Sequence, residues 1–543
     1  MPLSLSAEQK ELLKIFKIEE QYVIPPYQRP YSWEYDHCFQ LWTDLQNSYT
    51  NQQDYFIGNI IIAKGDNNRD FYEVVDGQQR LITSLLLFKV LSLFQPEFKV
   101  LQQIIQKEDW EGENPLPRIR SDVFEANDGG ALTEVLSYSF ENLIQRYDEV
   151  KDKQNKIVER KCKSKFECNM LYFYFWINHF KGGNGDVKDL TTYILKQVYL
   201  LPIELSGTTQ DEANEKALVI FETINNRGMN LEDADIFKAK LYNKAKSVDE
   251  SKIFIELWTD FKNSCDSLNL SIDDIFRYYS HVIRGKKGIT TSETSLREFF
   301  SNSEHSPLEL NKYKDVLDDL FKIITILELL NQEKVRSSEP AKWLQIIDAY
   351  TNQYPKYAIV NFLFSNDLNT DQRFVEFLKL LTRYVYFQGS TTTVKFEIYN
   401  IIKQTSLNLV INDYFRNDVD SNYFRYLGRL KKGFSLLAFY LNHSTVLPTY
   451  NVDKVINLKD KRQLSDDWNS VNLDDVIDCL GNFVILDIPK KNIVYNKKQE
   501  YYSSSMLSEV NSIFHDGDFS YKNFLERDLI LRERLTIFFS GKR

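Results

Sequence analysis

Between positions 71 and 88 the chain changes residue type twice, which limits its fold more than any other segment does. Residues 71–75 are mostly aromatic or β-branched and predict a strand, whereas residues 81–88 are mostly apolar and predict a buried helix. Between them stand Asp76, Gly77, Gln78, Gln79 and Arg80. A strand that enters a helix through a short polar turn points backbone N–H groups and the positive end of the helix dipole at one place. The sequence therefore predicts an anion site at this turn.

Arg80 would lie in the first turn of the predicted helix, where its guanidinium supplies the bidentate donor that a phosphate prefers. An alternative needs no ligand. Asp76 and Gln79 stand three residues apart, which is close to the spacing of a helix capping box. On these five residues alone, the capping box is the favoured interpretation, and two other segments shift the balance towards an anion site.

A second informative segment is the loop formed by residues 24–33, which contains three prolines. Prolines disfavour a regular helix or a central strand, so a stiff extended loop is predicted. The polar pair Gln28 and Arg29 would be held in fixed geometry, which favours a binding role. The loop also carries three aromatic residues: Tyr27, Tyr31 and Trp33. Aromatic faces beside an arginine suit base stacking or contact with a nucleic-acid backbone, although core packing is the favoured interpretation for Trp33.

A third segment, residues 220–238, predicts two helices joined by a turn. The first helix should end near Gly228, a usual residue at a helix C-terminus, and the second should begin two or three residues later. The candidate polar residues are Asn225 and Arg227 in the turn, and Asp235 and Lys238 on one face of the second helix. A helix connection without any ligand is the alternative.

Five motifs thus follow one another along the first 241 residues. They are Tyr27-Gln28-Arg29 with Tyr31 and Trp33, then Tyr55 to Ile60, then Asp76 to Arg80, then Phe221-Glu222 through Arg227-Gly228, and Asp235 to Lys238. Their types and order resemble the N-terminal domain of GmrSD-type restriction endonucleases. The resemblance implies a ParB/sulfiredoxin-like fold that binds and hydrolyses a nucleoside triphosphate.

The resemblance also implies roles for individual residues. Catalytic roles would fall on Asp76, Gln78, Gln79 and Arg80, and nucleotide contacts on Gln28, Arg29, Gly77, Asn225, Arg227 and Lys238. The nucleotide would be GTP or ATP, with Mg²⁺ as an accompanying ion. The partner implied by the family is DNA, including modified phage DNA, which Tyr27 and Tyr31 would contact.

With 543 residues the chain is too long for one typical core, so several domains are expected. Residues 1–241 hold every nucleotide-type motif and mix helices with short strands. These strands are predicted at 58–63, 72–75 and 198–204. Residues 242–430 repeat apolar side chains at spacings of three and four, which predicts a helical connector. With residues 431–543 as an HNH-like domain containing a ββα unit, the predicted fold class is α+β and predominantly helical.

The last segment resembles the HNH-type nuclease domain of the same family. The matching frame comprises Tyr450 to Val452, Trp468, Leu480 to Leu486, Asn492, Asn496 to Lys498, and Tyr501-Tyr502. The family's Glu-His-Ile-x-Pro signature is replaced here by Asp453, Lys454 and the three residues that follow. A protonated lysine cannot take the proton that the histidine accepts from the attacking water. We therefore expect a degenerate nuclease site at Asp453, Lys454 and Asn482, with His443 and His515 as weak substitutes for the missing base.

DNA contact in this segment is predicted at five residues: Lys490, Lys491, Asn496, Lys497 and Lys498. A formal net charge of −10 argues against a protein that coats DNA without discrimination, so binding would depend on such local patches.

The remaining composition favours a soluble protein of the cytoplasm. The five cysteines are odd in number and scattered, which suits reduced thiols, and no metal site is predicted because Cys162 and Cys168 lack partner ligands. Residues 1–17 have the pattern of an amphipathic helix without the apolar core of a signal peptide. No apolar stretch is long enough to span a bilayer.

The sequence therefore predicts a DNA-recognition protein that binds and hydrolyses a nucleoside triphosphate, acts in defence against phage or modified foreign DNA, and has weak or no nuclease activity. The alternative is a non-enzymatic DNA-sensing or partner-binding subunit that recruits a separate nuclease. The expected protein partner is such a nuclease or further copies of this chain. A purely structural role, with every motif serving as a cap or turn, is the third interpretation.

Overall fold

The computed structural model of this chain describes all residues except 1–4, 68–69, 108–114, 124–127, 226–232, 302–303, 337, 369, 389–390, 426, 490–492, 515–516 and 543. At residues 5, 128, 222–225, 388 and 391–392 it describes the backbone alone. The chain divides into two compact units, Met1–Asp260 and Phe261–Arg543.

The first unit is built on a mixed β-sheet. Its strands in the described residues are β1 (Leu5–Ala7), β2 (Lys10–Glu11), β3 (Gln21–Ile24), β4 (Tyr55–Gly65), β5 (Phe71–Asp76), β6 (Gln106–Lys107), β7 (Leu116–Pro117), β8 (Ile119–Ser121) and β9 (Val198–Gly207). The sheet order is β1-β9-β4-β5-β3-β8, with β2 also paired to β9, while β6 and β7 form a separate pair. Strand β5 runs antiparallel to β4 and parallel to β3. It therefore lies in the interior of the sheet.

Helices surround this sheet. They are α1 (Leu12–Phe16), α2 (Tyr35–Thr50), α3 (Gln78–Phe94), α4 (Lys99–Ile105), α5 (Asp128–Leu136), α6 (Phe140–Val150), α7 (Lys165–Gly182), α8 (Val187–Gln197), α9 (Gln210–Asn225), α10 (Asp233–Lys246) and α11 (Ser251–Ser267). Helix α3 is buried on nearly all sides, because its leucines, isoleucine and phenylalanine belong to the main apolar core. A helix that is apolar all round must lie inside its domain, and this fixes the polar turn at its start.

The predicted strands are confirmed, and each is longer than its pattern indicated. β4, β5 and β9 extend the predicted segments 58–63, 72–75 and 198–204 by a few residues. The predicted amphipathic helix over residues 1–17 is wrong in its extent, because of the described residues 5–17 only those of α1 are helical. The residues of β1 and β2 instead pair with β9, where an open strand edge offers backbone hydrogen bonds.

The second unit begins with the helical region that the apolar spacing predicts. Its helices are α12 (Ile272–Lys287), α13 (Leu296–Ser301), α14 (Pro307–Leu310), α15 (Tyr313–Glu333), α16 (Glu339–Asp348), α17 (Tyr354–Ser365), α18 (Gln372–Gln388), α19 (Thr391–Ser406), α20 (Lys431–Tyr440), α21 (Lys498–Tyr502), α22 (Ser508–Asn511) and α23 (Tyr521–Ser540). Two short strands, β10 (Asn451–Lys454) and β11 (Phe483–Leu486), pair antiparallel. The predicted class, α+β and predominantly helical, is confirmed. The ParB-like and HNH-like assignments and the three-domain division stay predictions.

The cysteines differ from the prediction of reduced thiols throughout. Cys162 and Cys168 form a disulfide, because the turn that Ser164 makes as the cap of α7 brings their Cα atoms to 5.5 Å. Cys38, Cys265 and Cys479 are free and buried. Among the described residues, no helix is long and apolar enough to cross a membrane.

Candidate functional site

The polar turn connects β5 directly to α3. Asp76 is the last residue of the strand and pairs with Ile61, while Gly77 caps the helix in the left-handed region with φ of 86°. No side chain caps α3, so the alternative that Asp76 and Gln79 form a capping box is wrong. The reason is local: the strand holds Asp76 in register, one residue too early to cap. The first N–H groups of α3 therefore donate no hydrogen bond to the side chain of a cap residue.

Gly77 allows this connection, and its replacement by alanine should show it. A Cβ at this position would lie 2.5 Å from Cγ2 of Ile60, and alanine at positive φ costs about 1–3 kcal/mol. We expect Gly77→Ala to lower the unfolding temperature of the first unit by several degrees in a thermal melt. The matched control is Gly182→Ala, since a Cβ at Gly182 in α7 meets nothing within 4 Å. An unchanged melt for both variants would contradict this account of the turn.

Arg80 lies in the first turn of α3, as predicted, and is half-buried. Its Nη1 donates a hydrogen bond to the carbonyl of Asn59 in β4. Gly58 leaves room for the guanidinium, because a Cβ there would lie 3.3 Å from Arg80 Nε, and the positive φ of Gly58 favours glycine as well. The side chain is thus held against the neighbouring strand while still lining a cavity.

Asp76 faces the same cavity. Burial raises the pKa of its carboxyl, and the positive charges of Arg80 and Arg29 act in the opposite direction. The cavity therefore contains a partly desolvated carboxyl group between two guanidinium groups. A carboxyl group whose pKa is raised by burial in a cavity is a candidate for proton transfer.

Gln78 and Gln79 are buried and hold the proline-rich loop in place. Gln78 Nε2 donates to the carbonyl of Arg29 at 2.9 Å. Gln79 Oε1 accepts from the backbone N–H groups of Ser32 and Trp33, at 2.9 and 3.3 Å. Because both amides are committed to the loop, the structure gives them a positioning role, and their predicted part in catalysis stays a prediction.

Gln28 fastens the other side of the loop. Its Nε2 donates to the carbonyl of Val75 in β5 at 2.8 Å. Arg29 is exposed between these anchors, and its charge acts on Asp76. The structure therefore brings together the two segments, loop and turn, that the sequence singled out separately.

Loop and turn line one cavity of about 420 Å³, a volume within the range of small-molecule sites. Phe221 of α9, which begins one of the five motifs, also lines the cavity. Lining residues that sequence reasoning missed are His37 and Gln40 of α2, Leu218 of α9 and Ala239 of α10. His37 and Gln40 carry no motif, and the only signal for them was their place directly after the aromatic loop.

The third predicted segment contributes only in part. Asp235 of α10 lines the cavity. Lys238 is buried with 6% of its surface exposed and is not among the lining residues, so direct nucleotide contact by Lys238 conflicts with its position. Asn225 ends α9, but its side chain lies outside the described residues, as does Arg227.

The predicted DNA contacts of Tyr27 and Tyr31 conflict with their burial, since each exposes only 3% of its surface. The Tyr31 ring stacks on Phe166, and its hydroxyl lies 2.7 Å from Thr83 Oγ1. The Tyr27 ring packs 5.3 Å from that of Tyr242, and Tyr27 lines the cavity from below the loop. Both rings support the loop, because aromatic area is stabilising when it is removed from water.

In the second unit, Asp453 lies on β10, and its carboxylate is held from α21. Tyr502 Oη donates to Asp453 Oδ2 at 2.9 Å, and Lys498 Nζ lies 3.4 Å from the same oxygen. Lys498 Nζ also donates to the carbonyl of Lys454. Lys498 exposes only 2% of its surface, and burial lowers the pKa of its ammonium group. Its predicted role as a DNA contact is therefore corrected to an internal ion pair.

Lys454, in the position expected for the nuclease histidine, forms an ion pair with Asp478 at 2.8 Å. Asn482 is buried and bonds to backbone atoms of Ile456 and Ile477. Of the substitutes for the missing base, His443 stacks on Phe439 and bonds to its carbonyl, whereas His515 lies outside the described residues.

Of the other predicted DNA contacts, Asn496 and Lys497 are exposed, while Lys490 and Lys491 lie outside the described residues. Throughout the described part of the chain, no group of three or more His, Cys, Asp and Glu side chains could hold a metal ion.

The first unit is thus an α+β domain with a cavity where the central strand β5 passes into the buried helix α3. Residues 11–242, nearly all of this unit, match the family described as the GmrSD restriction endonuclease, N-terminal domain. This match identifies the first unit with the N-terminal domain of GmrSD-type restriction endonucleases. No curated protein matches the chain.

Proposed function

We propose that the first unit binds and hydrolyses a nucleoside triphosphate, and that this activity serves the recognition of foreign DNA. The observation that carries the proposal is the single cavity in which Asp76, Arg80 and Arg29 meet at the start of α3. Two guanidinium groups, the first backbone N–H groups of α3 and the helix dipole all favour a polyanion there.

The turn and the loop would both contribute to phosphate binding, and the turn would also supply the group that transfers a proton. The N–H groups at the start of α3 and the guanidinium of Arg80 bind the phosphates, with Arg29 approaching from the loop. Asp76 is placed to hold or move a proton of the attacking water, because its raised pKa lies closer to neutrality than that of an exposed carboxyl.

A magnesium ion fits this site only together with its substrate. Among the described residues, Asp76 and Asp235 are the carboxylates that line the cavity, and Mg²⁺ is usually held by one or two carboxylates together with substrate phosphates. When bound, the ion would neutralise charge on the phosphates.

The DNA component of the proposal rests on the family, whose name describes a restriction endonuclease. A restriction protein acts on DNA, so a defence role against phage or modified DNA follows for this chain. In this proposal, nucleotide hydrolysis in the cavity would respond to DNA binding. The direct test is to measure phosphate release from GTP and ATP, with and without modified DNA. Absence of release and of binding for both nucleotides would reject the proposal.

The second unit should not cut DNA by itself. Lys454 is paired with Asp478, and the Lys498 ammonium group stands beside Asp453, so a metal ion would meet two positive charges there. We expect no nicking of supercoiled plasmid by the purified protein in Mg²⁺ or Mn²⁺ on an agarose gel. Robust nicking would contradict this expectation. If His443→Ala abolished that nicking, the nuclease site would lie at His443.

A further inference from the structure

An aromatic pair stands at the cavity beside the loop. The rings of Trp33 and His37 are stacked, with centroids 5.7 Å apart and planes inclined by 15°. Both residues line the cavity. Trp33 packs against the main apolar core, as predicted, but is only half-buried, and His37 at the start of α2 is exposed, so the pair stays partly open to solvent.

The position of Trp33 is fixed through its backbone on both sides. Its N–H donates to Gln79 Oε1, and its carbonyl accepts from Asn169 Nδ2 at 2.8 Å. Asn169 is buried in α7. Gln79 belongs to the polar turn. Its side chain therefore fixes the position of Trp33 relative to the start of α3.

This arrangement gives the cavity two chemically different parts. One part, with Arg80 and Arg29, suits phosphate. The other is a flat aromatic surface, and every nucleobase has a π-face that can stack on such a surface. Gln40 lies one turn beyond His37 on α2 and lines the same cavity, and its amide carries both a donor and an acceptor for a base edge.

We propose that Trp33 and His37 form the platform on which the nucleobase stacks, with Gln40 bonding to its edge. The inference rests on the proposed nucleotide function and deepens it: the site recognises a nucleotide, rather than any polyphosphate, through this pair. Base stacking on an aromatic side chain is worth about 1–3 kcal/mol, which corresponds to about 5- to 150-fold in affinity.

Calorimetry on the full chain with inorganic tripolyphosphate, GTP and ATP separates the two parts. The unaltered protein should bind at least one nucleotide more tightly than tripolyphosphate. Trp33→Leu and His37→Ala should weaken that nucleotide about 5- to 150-fold and leave tripolyphosphate unchanged, which also shows that the variants are folded. Trp33→Phe should retain most of the affinity. His179→Ala is the matched control, because His179 is an exposed histidine that stacks on Phe175 away from the cavity.

The outcomes distinguish the platform from the underlying function. If tripolyphosphate and nucleotides bind equally well, or if Trp33→Leu and His37→Ala leave nucleotide affinity unchanged, the platform is wrong and the phosphate site stands. If the unaltered protein binds neither tripolyphosphate nor nucleotide, the proposed function fails and the platform fails with it.

Discussion

Replacing Arg80 by alanine should abolish triphosphate hydrolysis. An arginine that neutralises the charge of a transferring phosphoryl group is worth on the order of 10³-fold or more in rate. Nucleotide affinity should also fall by about 10- to 150-fold, since a hydrogen bond to a charged group contributes about 1.5–3 kcal/mol. Phosphate release and calorimetry on the same preparation measure the two effects separately.

Two further variants make this experiment specific. Arg80→Lys retains the positive charge but loses the bidentate fork, so it should fall between the unaltered protein and Arg80→Ala. Arg373→Ala removes an exposed arginine of the second unit, which pairs locally with Asp371, and should leave hydrolysis as it was. Because Arg80 also bonds to the Asn59 carbonyl, a thermal melt must show that the Arg80 variants are folded. Full turnover in a folded Arg80→Ala protein would disprove the assignment.

The location of the turn could be predicted because its signals are local. The change from β-branched to polar to apolar residues occurs at consecutive positions. The strand ends at Asp76, where that change begins. The partners of the turn could not be predicted in the same way. Gln79 accepts from Ser32 across 47 residues of sequence, and no spacing rule in one sequence specifies such a pairing.

The DNA contacts predicted for the two buried tyrosines and Lys498 are wrong for the same reason, because local sequence does not specify distant packing partners. A tyrosine in a proline-rich loop and a lysine in a basic segment both have the composition of a binding surface. Their burial depends on Phe166 packing against Tyr31, and on Asp453, 45 residues before Lys498, as a charge partner. His37 and Gln40 illustrate the opposite case, because they line the cavity through the placement of α2 and not through a motif.

Removal of the Asn482 side chain should strongly destabilise the second unit. This side chain is fully buried, with 0% of its surface exposed. Its Oδ1 accepts from the N–H of Ile456 at 2.9 Å, and its Nδ2 donates to the carbonyls of Ile456 and Ile477 at 3.0 and 2.9 Å. Asn482 immediately precedes β11, so these bonds tie the start of that strand to the chain that follows β10. Alanine would leave three buried backbone groups without partners.

Each such group costs about 1–3 kcal/mol when it is left unpaired in the interior, so Asn482→Ala should lower the free energy of unfolding of the second unit by about 3–5 kcal/mol. Urea titration with far-UV circular dichroism would measure the shift. Asn496→Ala is the matched control, because Asn496 is exposed, and it should stay within about 0.5 kcal/mol of the unaltered protein. If Asn482→Ala unfolded at the same urea concentration as Asn496→Ala, Asn482 would not be structural. The asparagine that the sequence assigned to a degenerate nuclease site would then regain a functional interpretation.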